Sequence, residues 1–471
     1  MNIKKLLISA AVLASCVSLS ACGGNSSSEG SAGGSQNGPT TARTIKVAVG
    51  KESAEFYTKV LADYAANTPG FIHKIEVVAA DTGAAADNVI SDPEAAADIF
   101  TVAHDNIGKL IEANCVLPLT NEALVAQVEG DNPQSFLDVI YSKLDGVDYV
   151  YAAPYISQAL VLMYNKSKVT AEQAKTFEGL MEAAVANKSE AVSVTGTDGF
   201  NFSFVTLSRK ASDGSTTAKL YKDGVKNDCY FQGDDTVAAV RWAQDFFGSD
   251  NGGHFPSSAG WESDAMNNKV ISVIGGAWQF KAFEDAVGST NAGYTVLPTF
   301  TVDADDVEGT TIPEGTKFQA GSFVDCKCLM LNAYSDEDMY DTYCDIITYL
   351  SSKDVQNKSF KEANNLPAYV GATEYIETIK DTITENQYQG ACAQNGMAAH
   401  GIAQPFVNSI LNTYYYSKGA PEVFLNIVNN TDSAYTTLDQ VRQGLYRVEH
   451  IWQKGKEPAA ADIPASLPQD I

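Results

Sequence analysis

Along this chain short β-branched runs alternate with stretches whose apolar residues recur at helical spacing. Ile45 to Val49 reads as a strand. Glu52 to Asn67 then carries Phe56, Val60, Leu61 and Tyr64 at helical spacing, until Thr68-Pro69-Gly70 stops it. Lys74 to Ala79 is a second strand, and a short helix over Ala84 to Ile90 leads to a third at Asp98 to Val102. Asp105 can cap a helix that begins near Asn106 and runs to Asn114. Strand, helix, strand, helix, strand on this pitch predicts an α/β protein built on a parallel, doubly wound sheet.

Further on, Leu144 to Tyr151 looks like a hairpin turning at Asp145-Gly146, and it runs into Ala153-Pro154-Tyr155, a candidate crossing into a second domain. Gln158 to Tyr164 is another strand, followed by helices from about Thr170 and from Asp235 to Phe247. In NKVISVIGGAWQF the buried strand Val270 to Ile274 ends at Gly275-Gly276, which delivers Trp278 just past a strand end, where open α/β sheets bind ligands. Such a Trp is either a flat platform for a sugar ring or a plug between sheet and helix. Tyr294 to Pro298 is a candidate strand back toward the first domain, Asp336 to Leu350 a helix, and Leu366-Pro367-Ala368-Tyr369 a third candidate crossing. The tail is helical, with Leu438, Val441, Leu445 and Val448 on one stripe.

The N-terminus sets the compartment. Lys4 and Lys5 precede the apolar run Leu6 to Ala21, which ends in Leu19-Ser20-Ala21-Cys22. This resembles a bacterial lipoprotein signal, with Cys22 the lipidated first residue of the mature chain. Residues 23 to 43 are a Gly/Ser tether without a core, and roughly 430 residues follow, enough for two or three domains. A net charge of −26 disfavours a nucleic-acid or anionic-membrane partner and leaves a neutral or cationic ligand unopposed. The widely spaced cysteines read as buried thiols before disulfides, and Cys326-Lys327-Cys328 lacks the second pair that a zinc site needs, so no metal or cofactor is expected.

Taken in order, the lipobox and tether, Ala97-Asp98-Ile99-Phe100 with Ala103-His104-Asp105, Ala153-Pro154 leading to Leu162-Met163-Tyr164-Asn165-Lys166, Gly275-Gly276-Ala277-Trp278, and Tyr294 to Phe300 resemble the extracellular solute-binding proteins of ABC transporters, above all their maltose/maltodextrin-binding branch. The resemblance spans the mature chain. It implies a two-lobed, periplasmic-binding-protein-like fold of type II, with three crossing segments and a cleft that closes by a hinge. The expected layout is signal peptide 1–21, lipidated Cys and tether 22–43, lobe 1 from 44–154 plus 298–366, and lobe 2 from 155–297 plus 367–471. The implied partners are an oligosaccharide, a membrane permease and, through the lipid, the cell membrane, with the protein a monomer outside the cytoplasm.

Carried over residue by residue, the resemblance puts Lys51, Glu52 and Asp105 on sugar hydroxyls. Asn106 stands where the family has an arginine and Gln158 where it has a glutamate. Asp198 falls near a second glutamate and Phe200 near a stacking tyrosine. Trp278 matches a stacking tryptophan and Met397 a cleft methionine, with Phe406 nine residues on. Val102 and Val407 replace two further stacking tryptophans, which leaves the identity and length of the sugar open. Tyr155, Trp261 and Tyr414 to Tyr416 are substitute aromatics, although core positions suit them as well; Trp242 reads as core.

Two other classes remain. A glycoside hydrolase would need paired carboxylates across the cleft, a part Asp105 and Asp198 could play, but nothing in the sequence marks a raised pKa and no GxSxG accompanies a triad. The expectation is therefore no enzyme. The same fold could instead take a peptide, polyamine or metal complex.

Overall fold

A computed structural model describes residues 41–216, 233–254, 260–404, 412–417, 419–428 and 433–463. In chain order the strands are β1 Thr44–Gly50, β2 Lys74–Ala80, β3 Ile99–Ala103, β4 Val116–Leu117, β5 Tyr141–Leu144, β6 Val147–Val150, β7 Ala153–Ala159, β8 Val161–Asn165, β9 Val192–Val194, β10 Arg209–Lys210, β11 Gly253–His254, β12 Ser272–Gly275, β13 Ala292–Thr295, β14 Thr299–Thr301, β15 Lys317–Gln319, β16 Phe323–Asn332 and β17 Ile402–Ala403.

β1 pairs in parallel with β2 and β3, as the alternation of strands and helices predicts. β16 then lies antiparallel between β3 and β7, so the sheet is mixed rather than wholly parallel. The second sheet repeats the device. Its order is β11-β9-β12-β8-β13, with β9 parallel to β11 and β12, and β8 antiparallel between β12 and β13. β8 is thus supplied by the segment that has just left the first sheet, while β16 follows a separate three-stranded sheet of order β10-β15-β14.

The central strands are buried along their length. All ten residues of β16 and all seven of β7 are buried, as covered strands must be. Two large hydrophobic cores result. One gathers Ile45, Val47, Phe56, Val102, Tyr155, Leu329 and Ile347 around the first sheet. The other gathers Leu162, Phe177, Val194, Trp242, Trp261, Ile274, Phe300 and Leu438 around the second. Trp242 stacks on Phe300 with ring centroids 3.9 Å apart, so it is core as expected. Trp261 is core too, and the stripe Leu438, Val441 and Leu445 is buried along the helix Ala434–Lys454.

The β5–β6 hairpin turns at Asp145 and Gly146, both with positive φ (52° and 82°), the backbone that an Asp-Gly pair adopts readily. The chain leaves the first sheet between Ala159 and Val161. It returns beside that point, where the Ser322 hydroxyl accepts from the Leu160 amide at 2.9 Å.

That return comes later than expected. Phe300, Phe318 and Phe323 pack in the second core and Val324 in the first, so the boundary falls at Phe323-Val324 rather than at residue 298. The aromatic side chains after Pro298 carry the difference: β14 and β15 pair with each other and bury their phenylalanines beside Trp242. Nor does everything after 367 keep to lobe 2. β17 adds a parallel strand to β16, opposite Phe323 and Val324. Among the described residues no helix is long and apolar enough to cross a membrane. Cys22 and its tether lie outside the described residues.

Candidate functional site

Where the crossings meet, a pocket of about 90 Å³ is lined by Glu52, Gln158, Trp278, Lys281, Asn365 and Leu366, among others. Besides the segment that carries Asn365 and Leu366, its walls come from three places. Glu52 sits on the 3-10 turn Lys51–Ser53 directly after β1, Gln158 on β7, and Trp278 on the 3-10 turn Ala277–Gln279 directly after β12. Two strand ends, one from each sheet, thus face the same space, as the general rule for open α/β sheets has it.

Trp278 is half-buried and belongs to the wall. Its indole lies across Gly276, where a Cβ would come within 1.9 Å of Cζ3, so the Gly-Gly that ends the strand also makes room for the ring. Behind it the aromatics continue inward. Phe200 lies 5.9 Å from Trp278 between ring centroids, and Phe323 stacks on Phe200 at 6.3 Å.

Glu52 accepts from the Lys327 ammonium at 2.7 Å. Burial works against its charge, yet the lysine outweighs that and holds the carboxyl below its ordinary range. Asn365 is fixed from behind, donating to Ser53 Oγ at 3.0 Å and to Ser359 Oγ at 2.8 Å. Gln158 is buried beside them.

The other expected site residues are elsewhere or otherwise engaged. Asp105 caps no helix: the helix Ile107–Glu112 takes no side-chain cap. Its carboxylate accepts instead from Asn106 Nδ2 at 3.0 Å and from Asn412 Nδ2 at 2.8 Å. Burial, and after it the Asp325 charge, push its carboxyl up to about 6. Asn106 is buried and spends its amide on Asp105 and on the Ala103 carbonyl. Met397 is buried in the second core, where its sulfur accepts from the Leu297 amide at 3.3 Å. Asp198 is half-buried and ties down its own turn by accepting from the amide and side chain of Asn201. Lys51 stands out in solvent, 3.9 Å from Asp81.

Tyr155 is not a substitute platform, since it is buried in the first core with its hydroxyl 2.7 Å from Thr101 Oγ1. Tyr414 to Tyr416 fall in the π-helix Thr413–Ser417, and Tyr415 is fully buried. Val102 points into the first core. Phe406 and Val407 lie outside the described residues.

Three residues escaped the sequence reading: Lys327, Asp325 and Asn365. The first two had a signal, because charges two residues apart interrupt an otherwise apolar strand. Asp325 accepts from His104 Nδ1 at 2.8 Å, and Nε2 of that ring faces the Gln404 carbonyl at 3.2 Å. Burial alone would lower the imidazole, but Asp325 carries it above its usual value. Nδ1 also lies 3.3 Å from the Cys326 amide, so it sits between a carboxylate and an N–H while Nε2 meets a carbonyl. The described cysteines are free thiols, four of them buried and Cys392 exposed. Among the described residues no group of three His, Cys, Asp or Glu side chains is arranged to hold a metal ion.

Residues 59–386 match the family model of the bacterial extracellular solute-binding proteins. The chain belongs to that family. It is a family of binding proteins rather than enzymes, and it acts outside the cytoplasm. Solved structures agree on the two-lobed fold of this solute-binding protein. The maltodextrin-binding protein MalE1 from L. casei BL23 superposes with a TM-score of 0.64 at 19% identity, over 87% of this chain and 99% of that one. MalX from Streptococcus pneumoniae, in complex with maltopentaose, gives 0.66 at 17% over 85% and 99%. MalE from Listeria monocytogenes, in complex with maltose, gives 0.63 at 17% over 88% and 98%. No curated protein sequence matches this solute-binding protein significantly.

Proposed function

We propose that this solute-binding protein captures an oligosaccharide, a malto-oligosaccharide by preference, in the cleft between its lobes and hands it to the membrane subunits of an ABC importer. Cys22, lipidated at the end of the signal, would tether it to the cell membrane through the Gly/Ser tract. The observation that carries this reading is the pairing of Trp278 with Glu52 and Gln158 around one pocket. An indole face suits the apolar face of a pyranose, while a carboxylate and an amide suit its hydroxyls. Trp278 and Phe200, tilted at 46° to one another, supply the aromatic surface on this side of the cleft.

A pocket of about 90 Å³ is small beside the roughly 300–1,000 Å³ of ligand sites in general, so a sugar enters only if the lobes part. The crossings supply the means: they run side by side at Leu160 and Ser322, and rotation there would open the cleft. Calorimetry against a panel of α-glucans, other oligosaccharides and spermidine tests the assignment. Binding heat with maltotriose or a longer glucan is the expected result, and no heat with any glycan would overturn it.

A further inference from the structure

β16 is buried throughout and reads FVDCKCLMLN, so its two charges need accounting for. Asp325 and Lys327 are two residues apart and share one face of the strand. Asp325 serves His104. Lys327 serves nothing in the packing that a methionine would not, because a buried ion pair often contributes no more stability than apolar side chains of the same volume. Its ammonium reaches Glu52 Oε1 at 2.7 Å, the lysine side chain being 6% exposed and the glutamate 31%. Glu52 therefore turns one side to the lysine and the other to the pocket it lines. Gly50 completes the mount, since a Cβ there would lie 2.5 Å from Oε1: the carboxylate rests against bare backbone.

We propose that Lys327 is a positioning residue, which fixes the Glu52 carboxylate in its charged form at the cleft floor and, by cancelling that charge, makes the cleft select an uncharged polyhydroxylated ligand over a cation. The proposal rests on the reading of this cleft as the ligand site. The other groups around Glu52 do not supply the same charge. Lys51, its neighbour in the chain, is exposed beside Asp81. Lys281, on the opposite wall, is exposed and paired with Asp285. Tyr57 and Tyr155 face Glu52 from the helix Ala54–Asn67 and from β7, and burial pushes both phenols well up, so they stay neutral. Lys327 is thus the buried cation that meets the buried side of the carboxylate.

Two measurements test this, one with ligand and one without. In the apo protein labelled with ¹³C-carboxyl glutamate, with Glu52→Gln to assign the signal, Glu52 should titrate below the ordinary value of about 4.3. Lys327→Met removes the largest contributions that oppose burial, leaving only the Glu52 backbone amide and the exposed Lys51, and should move it above that value. Calorimetry should then find maltotriose affinity flat from about pH 5 to 8 in the wild type. In Lys327→Met it should drop about tenfold toward the acid end, while spermidine binding strengthens at the alkaline end. Adding Glu52→Gln to Lys327→Met should abolish the pH dependence. Lys327→Gln repeats the series should the methionine variant fold poorly. Gly50→Ala displaces the carboxylate without touching either charge and should weaken maltotriose at every pH.

A Glu52 titration that Lys327→Met leaves in place overturns the positioning role, whatever the ligand. An affinity that stays flat with pH in that variant overturns the selection. If the titration moves but the wild type binds no glycan, the oligosaccharide reading falls and the positioning of Glu52 stands.

Discussion

Two polar clusters lie at the ends of the first sheet's strands, both reaching toward the second lobe, and they are built on opposite terms. Around Asp105 every described group is matched from within: Asp105 with Asn106 and Asn412, His104 with Asp325 and Gln404. Around Glu52 the matching is one-sided. Glu52 is held from behind by Lys327 and Asn365 by Ser53 and Ser359, while Glu52, Asn365, Gln158 and Trp278 all line open space. Both clusters contain residues that sequence resemblance assigns to sugar. What separates them is whether the protein has already used their hydrogen-bonding capacity, since a buried polar group that is fully bonded offers a ligand nothing without first breaking a bond. The Asp105 cluster accordingly reads as a clasp between β3, β16 and the segment that includes Gln404 and Asn412, and the Glu52 cluster as a floor.

The sharpest way to break this contrast is to cut the clasp. Asp325→Ala breaks the buried His104–Asp325 pair by removing one partner, which should cost about 3–5 kcal/mol and show as a large fall in Tm. Glycan affinity, measured well below that Tm, should change far less. The pH dependence has a definite sign. Because the folded pKa of His104 is raised, the stability it contributes is complete below the unfolded value of about 6.5 and is lost as pH rises through the folded value. The wild type's advantage over His104→Gln should therefore be largest in mild acid and shrink toward alkaline pH. A thermal scan that finds Asp325→Ala as stable as the wild type would dissolve the distinction between clasp and floor.

Trp278→Ala probes the other cluster and should do the reverse. Loss of the platform should weaken maltotriose binding tenfold or more, about 1.4 kcal/mol, of which roughly 0.5–1.5 kcal/mol is the aromatic contact beyond its buried area. Apo Tm should barely move, because the ring is half-buried and rests on Gly276 at the rim rather than within the second core. A fall in Tm comparable to that of Asp325→Ala, with affinity kept, would make Trp278 a plug and leave the cleft without its platform.

How far these clusters can be read from sequence depends on the range of the forces that set them. β1, β2, β3 and their helices follow from local spacing, and Asp145-Gly146 fixes its hairpin by backbone preference alone. Trp278 was legible because a β-branched run and Gly-Gly place it at a strand end. The antiparallel insertion of β16 was not, since pairing across some 220 residues leaves no local trace. Nor was the fate of Asp105: Asn412 reaches it from 307 residues away, and nothing near Asp105 distinguishes a bonded carboxylate from an available one. Met397 and Tyr155 carry the same lesson, as each matches a binding-site residue type and each is buried in a core. Lys327 differs, because a charge inside an apolar strand is visible in the sequence; what was hidden was its partner, 275 residues upstream.

The smallest expected effect belongs to Lys51, and it tests whether proximity in sequence to Glu52 is enough. Both follow β1 on one 3-10 turn, yet their side chains part: Glu52 folds back over Gly50 to Lys327, while Lys51 is 73% exposed and meets only Asp81, at 3.9 Å. An exposed pair at that distance is screened by water and salt and holds neither side chain in one geometry. A long, unfixed lysine would have to lose its rotamer freedom to reach a sugar hydroxyl, which offsets most of what one such bond contributes. Lys51→Ala should therefore change stability by no more than about 0.5 kcal/mol and maltotriose affinity by less than about threefold. Calorimetry beside Glu52→Gln makes the comparison direct. Should Lys51→Ala weaken binding as much as Glu52→Gln does, the fixed carboxylate would hold no advantage over the free ammonium, and support from behind would no longer mark which polar residues of this cleft meet the ligand.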